Sequence, residues 1–531
     1  MKTSLTLWIQ RVRPALQEVA PYAALALLPG GSLIALAAWV YRHRALAAAR
    51  LKALRYVVLG VLAVAVAGCA STHGLQPAAR LQTANTFATE DTFAAATLRK
   101  DNWPGRDWWT GLADPQLDQL IREGLRDSPS LKVAVARTRA ALAEAGVSAA
   151  ARLPQATLSA DATRERLSDN GIFPPPFAGS TSTLSDLQAS LSWEVDFWGK
   201  QRAAYQSALG LAQASAVDAE AARLALSTSI AHVYIQLQHA YLLLDVANST
   251  LQQREQITAL TRDRNAAGLD SRLEVRQTEE ALPATREQMV QLQETVELTR
   301  HQLAALLGAG PDRGVAIARP AATAVSEPAL PSRLPSDLLG RRPDLIAQRL
   351  RVAAAAQAIK VRQADFYPNV DLVAFVGFQR LGPGALVSAG ERQLGVGPAL
   401  SLPLFDAGRR RAQLAGADAA YDVAVEQYNQ TLADALRDVA DQLSSLRSVA
   451  AQRALQQQAL GIARDAYDLA VLRYREGIGN YLQVLATEDQ LLVQQRLDAD
   501  LRARILDLSV ALAGALGGGY EAPAGTVAYA P

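Results

Sequence analysis

Leu187-Gln188-Ala189-Ser190-Leu191-Ser192-Trp193-Glu194-Val195-Asp196-Phe197-Trp198-Gly199-Lys200 alternates in steps of two and then stops at aromatics and a glycine. Leu187, Ala189, Leu191 and Trp193 interleave with Asp186, Gln188, Ser190 and Ser192, the period of a strand with one apolar face. Its partner strand alternates Ala156, Leu158, Ala160 and Ala162 with Thr157, Ser159, Asp161 and Thr163. Val370, Leu372, Ala374, Val376 and Phe378 make a third apolar face. Leu394, Val396, Leu400 and Leu402 make a fourth, with Gly395, Gly397, Ala399 and Ser401 opposite. Strands of about ten residues, apolar on one side and small or polar on the other, fit a transmembrane barrel with a wet interior. They come as two pairs flanked by helices, which weighs against a soluble sandwich. Four strands cannot close a barrel, and an open edge in lipid leaves backbone groups unsatisfied. The barrel must be shared between chains.

The surrounding chain is one unit written twice. Pro129, Leu131 and Pro154 match Pro343, Leu345 and Pro368 at an offset of 214. Past a shorter central loop the offset becomes 209: Leu191-Ser192 matches Leu400-Ser401, Gly199-Lys200 matches Gly408-Arg409, and Gly268 matches Gly477. Leu273, Val275, Thr278 and Glu279 match Leu482, Val484, Thr487 and Glu488, and Leu303 and Gly308 match Leu512 and Gly517. Each copy runs helix, hairpin, very long helix, Gly-marked turn, return helix. The first helices cover about Leu131–Arg152 and Leu345–Ala364, the long ones Lys200–Asp263 and Arg409–Arg473. Each long helix spans roughly 100 Å at 1.5 Å per residue. Leu226, Ile230, Val233, Leu237, Ala240, Leu244, Ala247 and Leu251 form a heptad seam, which predicts coiled-coil packing. The second copy keeps Val439, Leu443, Leu446 and Ala450 and loses the pattern at Arg453. Pro283 predicts a kink in the first return helix only.

Composition agrees. Charged residues are 20% and net charge is +2, so no basic field argues for nucleic acid. The one cysteine, Cys69, follows Val66-Ala67-Gly68. Lys52 and Arg55 precede an apolar run from Tyr56 to Ala67, the layout of a secretory signal. A cysteine directly after the small pair resembles a bacterial lipobox, whose thiol is acylated; Ala70 after it fits sorting to the outer membrane. A second apolar stretch, Tyr22 to Tyr41, is interrupted by Pro29-Gly30-Gly31; it reads as a second membrane segment or, the preferred reading, as the product of a translation start assigned upstream of the real signal. Residues 1–68 are read as an extension and signal peptide, removed on processing. Trp193, Phe197, Trp198, Phe366, Tyr367 and Phe405 lie where strands meet helices, as an interfacial belt would, though packing at the bend fits too. Arg409-Arg410-Arg411 open a long helix, where the dipole disfavours cations; either lipid phosphates or solvent would answer them.

Three separated motifs resemble TolC-like outer-membrane factors. They are Pro398 to Arg409 at the strand-to-helix bend, Arg341-Arg342-Pro343-Asp344-Leu345 at the second repeat, and Trp108 to Leu117 at the first. With the lipobox, the resemblance is to the OprM/NodT lipoprotein branch. It implies a mainly α fold with membrane β: a homotrimer whose 12-stranded outer-membrane barrel continues as a periplasmic α-helical barrel. The divisions are then an equatorial segment 69–116, repeat 1 at 117–308 with its hairpin about 155–194, and a linker 309–336. Repeat 2 at 337–517 has its hairpin about 369–403, and 518–531 is a tail. The linker prolines Pro320, Pro328, Pro331 and Pro335 fit an irregular strap. The resemblance further implies a periplasmic adaptor, an inner-membrane pump of the proton-driven RND type and outer-membrane lipid as partners. The turns Arg264–Leu273 and Tyr474–Leu482 become docking tips, marked by Gly268, Leu269, Tyr474, Gly477, Asn480 and Tyr481. Where many relatives carry gate aspartates, this chain has Gln483 and Ala486. Asp270, Glu274, Glu476, Gln483, Glu488 and Asp489 are the candidates for the periplasmic gate.

No catalytic constellation is expected, and no cofactor beyond the lipid on Cys69. His232 and His239 share a helical face, but no neighbouring carboxylate or thiol completes a metal site. The rival reading is a periplasmic adaptor or scaffold lipoprotein with long hairpins, which would need no spanning strands. Drug efflux, metal efflux and protein secretion stay open within the channel reading, because the pump selects the substrate.

Overall fold

The computed structural model describes residues 72, 74–83, 86, 87, 98, 99, 103–321, 330, 331, 340–403 and 405–522. Residues 1–74 and 75–531 form separate units, and the fold set out here is that of the second. Cys69, its signal, the Tyr22–Tyr41 stretch, Pro328, Pro335 and the end of the tail lie outside the described residues.

The two repeats match in length. Helices α2 (Pro129–Ala150) and α6 (Pro343–Ala364) have 22 residues each. The long helices α3 (Lys200–Ala266) and α7 (Arg409–Arg475) have 67 each. The return helices α4 (Arg272–Leu306) and α8 (Tyr481–Ala515) have 35 each. Such agreement over three pairs of elements is what duplication leaves behind. Pro129 and Pro343 occupy the first turns of α2 and α6, where a missing N–H costs no helix bond. The first repeat opens on α1 (Pro115–Asp127), capped by the Asp114 carboxylate on the N–H groups of Gln116 and Leu117. A short helix α5 (Pro311–Val315) follows α4. The strands β1 (Leu98–Arg99) and β4 (Leu330–Pro331) pair in parallel, so the N-terminal segment meets the inter-repeat linker.

Helix α3 packs against α1, α2, α4, α6 and α8, and α7 against α6 and α8. The heptad seam of α3 is the centre of the main core: Leu226, Ile230, Val233, Leu237 and Ala240 are buried with Leu117, Ile121, Leu303 and Val510. Helix α7 continues unbroken to Arg475 although its apolar pattern thins. Val439 and Leu443 are buried, whereas Leu455, Ile462 and Leu469 are exposed until Tyr467, Ala470 and Tyr474 close a lower core. Pro283 sits inside α4, which runs through it without a break.

Strands β2 (Gln155–Arg166), β3 (Thr181–Glu194), β5 (Asn369–Leu381) and β6 (Arg392–Ser401) form one antiparallel sheet in the order β2-β3-β5-β6. The two hairpins, separate pairs in the sequence reading, are joined by β3 and β5. Register puts every apolar face on one side. Leu158 opposes Ala189, Ala189 opposes Val376, and Val376 opposes Leu394. The next row is Ser159, Gln188, Gly377 and Gln393. The apolar side is uncovered: Val396 is 87% exposed. Strands β2 and β6 are the sheet's two edges, each with a row of backbone groups unpaired within the chain.

Candidate functional site at the helical tips

The α3–α4 and α7–α8 turns have the same construction. Gly268 (φ +76°) and Gly477 (φ +79°) take the left-handed conformation that lets a helix stop. The N–H of Leu269 reaches the Arg264 carbonyl at 2.9 Å, and that of Ile478 reaches the Arg473 carbonyl at 3.0 Å. The next helix then opens on a side-chain cap. Ser271 accepts from the Leu273 N–H and Glu274 takes the Ser271 N–H, a capping box. Asn480 accepts from the Gln483 N–H at 3.0 Å.

One cluster ties the two tips. The Arg264 Nε donates to Asp270 Oδ2 at 2.9 Å, and its Nη1 donates to the Tyr474 carbonyl at 2.7 Å. The Tyr474 hydroxyl donates to the same Asp270 oxygen at 2.5 Å and meets Thr261 Oγ1 at 2.9 Å. The guanidinium also stands 4.5 Å from the Tyr474 ring centre, a cation–π contact. Tyr474 is fully buried, and burial, then its bond to Asp270, pushes its pKa up to about 12. The hydrogen bond to Asp270 raises the Arg264 pKa. This is a desolvated, fully bonded group linking residues 261–270 to the end of α7.

The six expected docking residues divide between surface and support. Gly268, Leu269, Gly477 and Asn480 are exposed, while Tyr474 and Tyr481 are buried beneath them. Around the tips Leu273, Ile478 and Leu482 also stand in solvent; their place at a turn next to a capped helix start was the available signal. The gate candidates divide too. Asp270 is closed inside the cluster, and Glu488 is buried against Arg254. Glu274 is held by Ser271, whose hydroxyl lowers its pKa. Glu476, Gln483 and Asp489 are exposed. Arg254 and Arg264 were not foreseen.

At the other end, Asp196 caps α3 through the Gln201 and Arg202 N–H groups, and Asp406 caps α7 through the Arg410 N–H at 3.3 Å. Of the three arginines there, Arg410 turns inward onto Asp406, the Asp365 carbonyl and the Pro403 carbonyl. Trp198 stacks on Tyr367 at 4.6 Å, Phe366 is buried, and Phe197 and Phe405 project outward. The N-terminal segment lies along α7: Asp422 accepts from the Ala78 and Ala79 N–H groups and Asn429 from that of Gln82. His232 and His239 each meet one carboxylate of α8, Asp507 and Asp500, the latter at 2.7 Å. No group of three metal-binding side chains occurs among the described residues. No described helix is long and apolar enough to cross a membrane.

A family described as "Outer membrane efflux protein" matches residues 120–309 and 334–518. The fusaric acid resistance protein FusA of Burkholderia cepacia is 40% identical over 368 residues, 68% of this chain and 69% of that one. The multidrug resistance outer membrane protein MdtP of Escherichia coli K12 is 32% identical over 435 residues, 80% of this chain and 88% of its own. Among solved structures, the outer membrane protein VceC of Vibrio cholerae superposes with a TM-score of 0.74 at 37% identity, covering 79% of this chain and 100% of VceC. The adaptor reading falls to these matches. The chain belongs to the outer membrane efflux protein family and has the duplicated fold of its TolC-like channels.

Proposed function

We propose that this chain works as a homotrimer, lipidated on Cys69, that passively conducts substrates from an inner-membrane pump and periplasmic adaptor across the outer membrane. The observation that carries the reading is the sheet: one exposed apolar face and two unpaired edges in a single chain. In lipid each unsatisfied backbone group costs several kcal/mol, so β6 of one copy pairs with β2 of the next. Three copies of four strands make twelve. The polar row of Ser159, Gln188 and Gln393 then lines water, and Val396 and Leu158 face hydrocarbon.

Placement of the N-terminal segment supports the anchor. Leu75 packs with Phe366 and Leu414 just beneath the sheet. Five residues lie between it and Cys69, so at most roughly 20 Å of extended chain links the acylated residue to this point. The tips dock the adaptor through Gly268, Leu269, Gly477 and Asn480, with Leu273, Ile478 and Leu482 offering apolar contact. The Arg264–Asp270–Tyr474 cluster holds the entrance contracted, and Glu476, Gln483 and Asp489 are left to form rings across the threefold axis. FusA's fusaric acid resistance and MdtP's multidrug resistance suggest small organic acids and drugs as cargo, driven by an RND-type pump. The chain contributes a path and no catalysis.

Expression with its own signal, followed by native mass spectrometry and planar-bilayer recording, tests this. The expected product is a lipidated trimer forming discrete conductances. A water-soluble monomer without conductance would overturn the reading.

A further inference from the structure

We propose that the buried Arg254–Glu488 pair is a second tie above the tips, a pair of positioning residues that sets how far hairpin α7/α8 swings from hairpin α3/α4. The proposal rests on the channel reading. Arg254 lies ten residues before Arg264 on α3, about 15 Å up the helix. Its Nε donates to Glu488 Oε1 at 2.8 Å, and its Nη1 donates to Thr285 Oγ1 at 2.9 Å and the Ala281 carbonyl at 3.3 Å. One guanidinium therefore joins α3, α4 and α8. The two side chains are 15% and 7% exposed.

The placement of Glu488 is not what packing alone would choose. Tyr481, Val484 and Leu491 are buried in the lower core, and Glu488 follows Val484 by four residues and precedes Leu491 by three. That spacing puts a carboxylate at a seam position of α8. An apolar pair there would pack at least as well, because burying two charges costs desolvation. A polar residue at a seam position is retained where register must be specified.

The duplication shows which contact it specifies. Glu488 corresponds to Glu279 at the offset of 209. Glu279 bonds Arg262 and Arg276 within its own hairpin, partly exposed. The Arg262 that holds Glu279 corresponds to Val471, so the second hairpin lacks that cation, and the Glu488 carboxylate crosses to Arg254 of the other repeat. Arg264, buried and bonded across the tips, likewise corresponds to Arg473, which is exposed. The two copies have diverged where they touch each other. Outward movement of α7/α8 must break the Arg254–Glu488 bond or drag α3 and α4 along.

The test uses the full-length lipidated trimer in planar bilayers. Glu488→Gln keeps the side chain's shape, and Arg254→Gln removes the charge from the other side. Each is expected to raise open probability about tenfold, the loss of one charge-assisted bond, and to lower the trimer's melting temperature, because the partner left behind is buried and unpaired. The exchanged pair R254E/E488R should return toward wild type. Conducting wild type with unaltered single variants, or an exchange no better than their sum, overturns the tie and leaves the channel reading standing. A wild type that never conducts overturns the channel reading first.

Discussion

Tyr474 donates its hydroxyl to Asp270 and lies under the Arg264 guanidinium. Tyr474→Phe removes the bonds to Asp270 and Thr261 while keeping the ring. It should weaken the contracted tip by about 1–3 kcal/mol, read as higher bilayer conductance and greater sensitivity to large antibiotics. Glu488 makes a different forecast for folding. Its folded pKa stands above the ordinary 4.5, so the native state holds this proton more tightly than the unfolded chain. That contribution is complete below pH 4.5 and is lost as pH rises through the folded value. Thermal melts of Glu488→Gln should lack this decline. Asp270 and Glu488 were legible as acids near the tip, but not as buried ones. Heptad position tells which face of a hairpin a side chain occupies; it does not tell that the other repeat covers that face.

Among the elements, α3 is where stability concentrates. Leu237 is fully buried in the main core, so Leu237→Ala should cost roughly 2–5 kcal/mol, checked as a fall in the trimer's melting temperature. Helices and strands were legible because their periods are local: the α2/α6, α3/α7 and α4/α8 pairs all stand where turn glycines and prolines mark them. The union of the hairpins through β3 and β5 was not legible, because alternation shows that Leu187 and Phe378 have apolar faces and not that they oppose each other. The carboxylates facing His232 and His239 come from α8, over 260 residues away, which hid them in the same way.

For the whole molecule, the duplication was readable, and the expectation of an oligomer rests on four strands that leave two edges unpaired within one chain. Copy number came only from the family resemblance. The apolar face gives the sharpest test. On the proposed channel Val396→Arg meets hydrocarbon, and it should cost up to about 2–4 kcal/mol near mid-membrane and reduce the yield of assembled protein in outer-membrane fractions. Ser159→Arg, on the polar face, should assemble normally.

The two free edges, β2 and β6, also shape the protein's life before assembly. A chain whose two rows are still open is adhesive along both, so any strand that offers itself competes with the intended companion. Whatever masks both rows until that companion arrives decides whether the chain is used or lost.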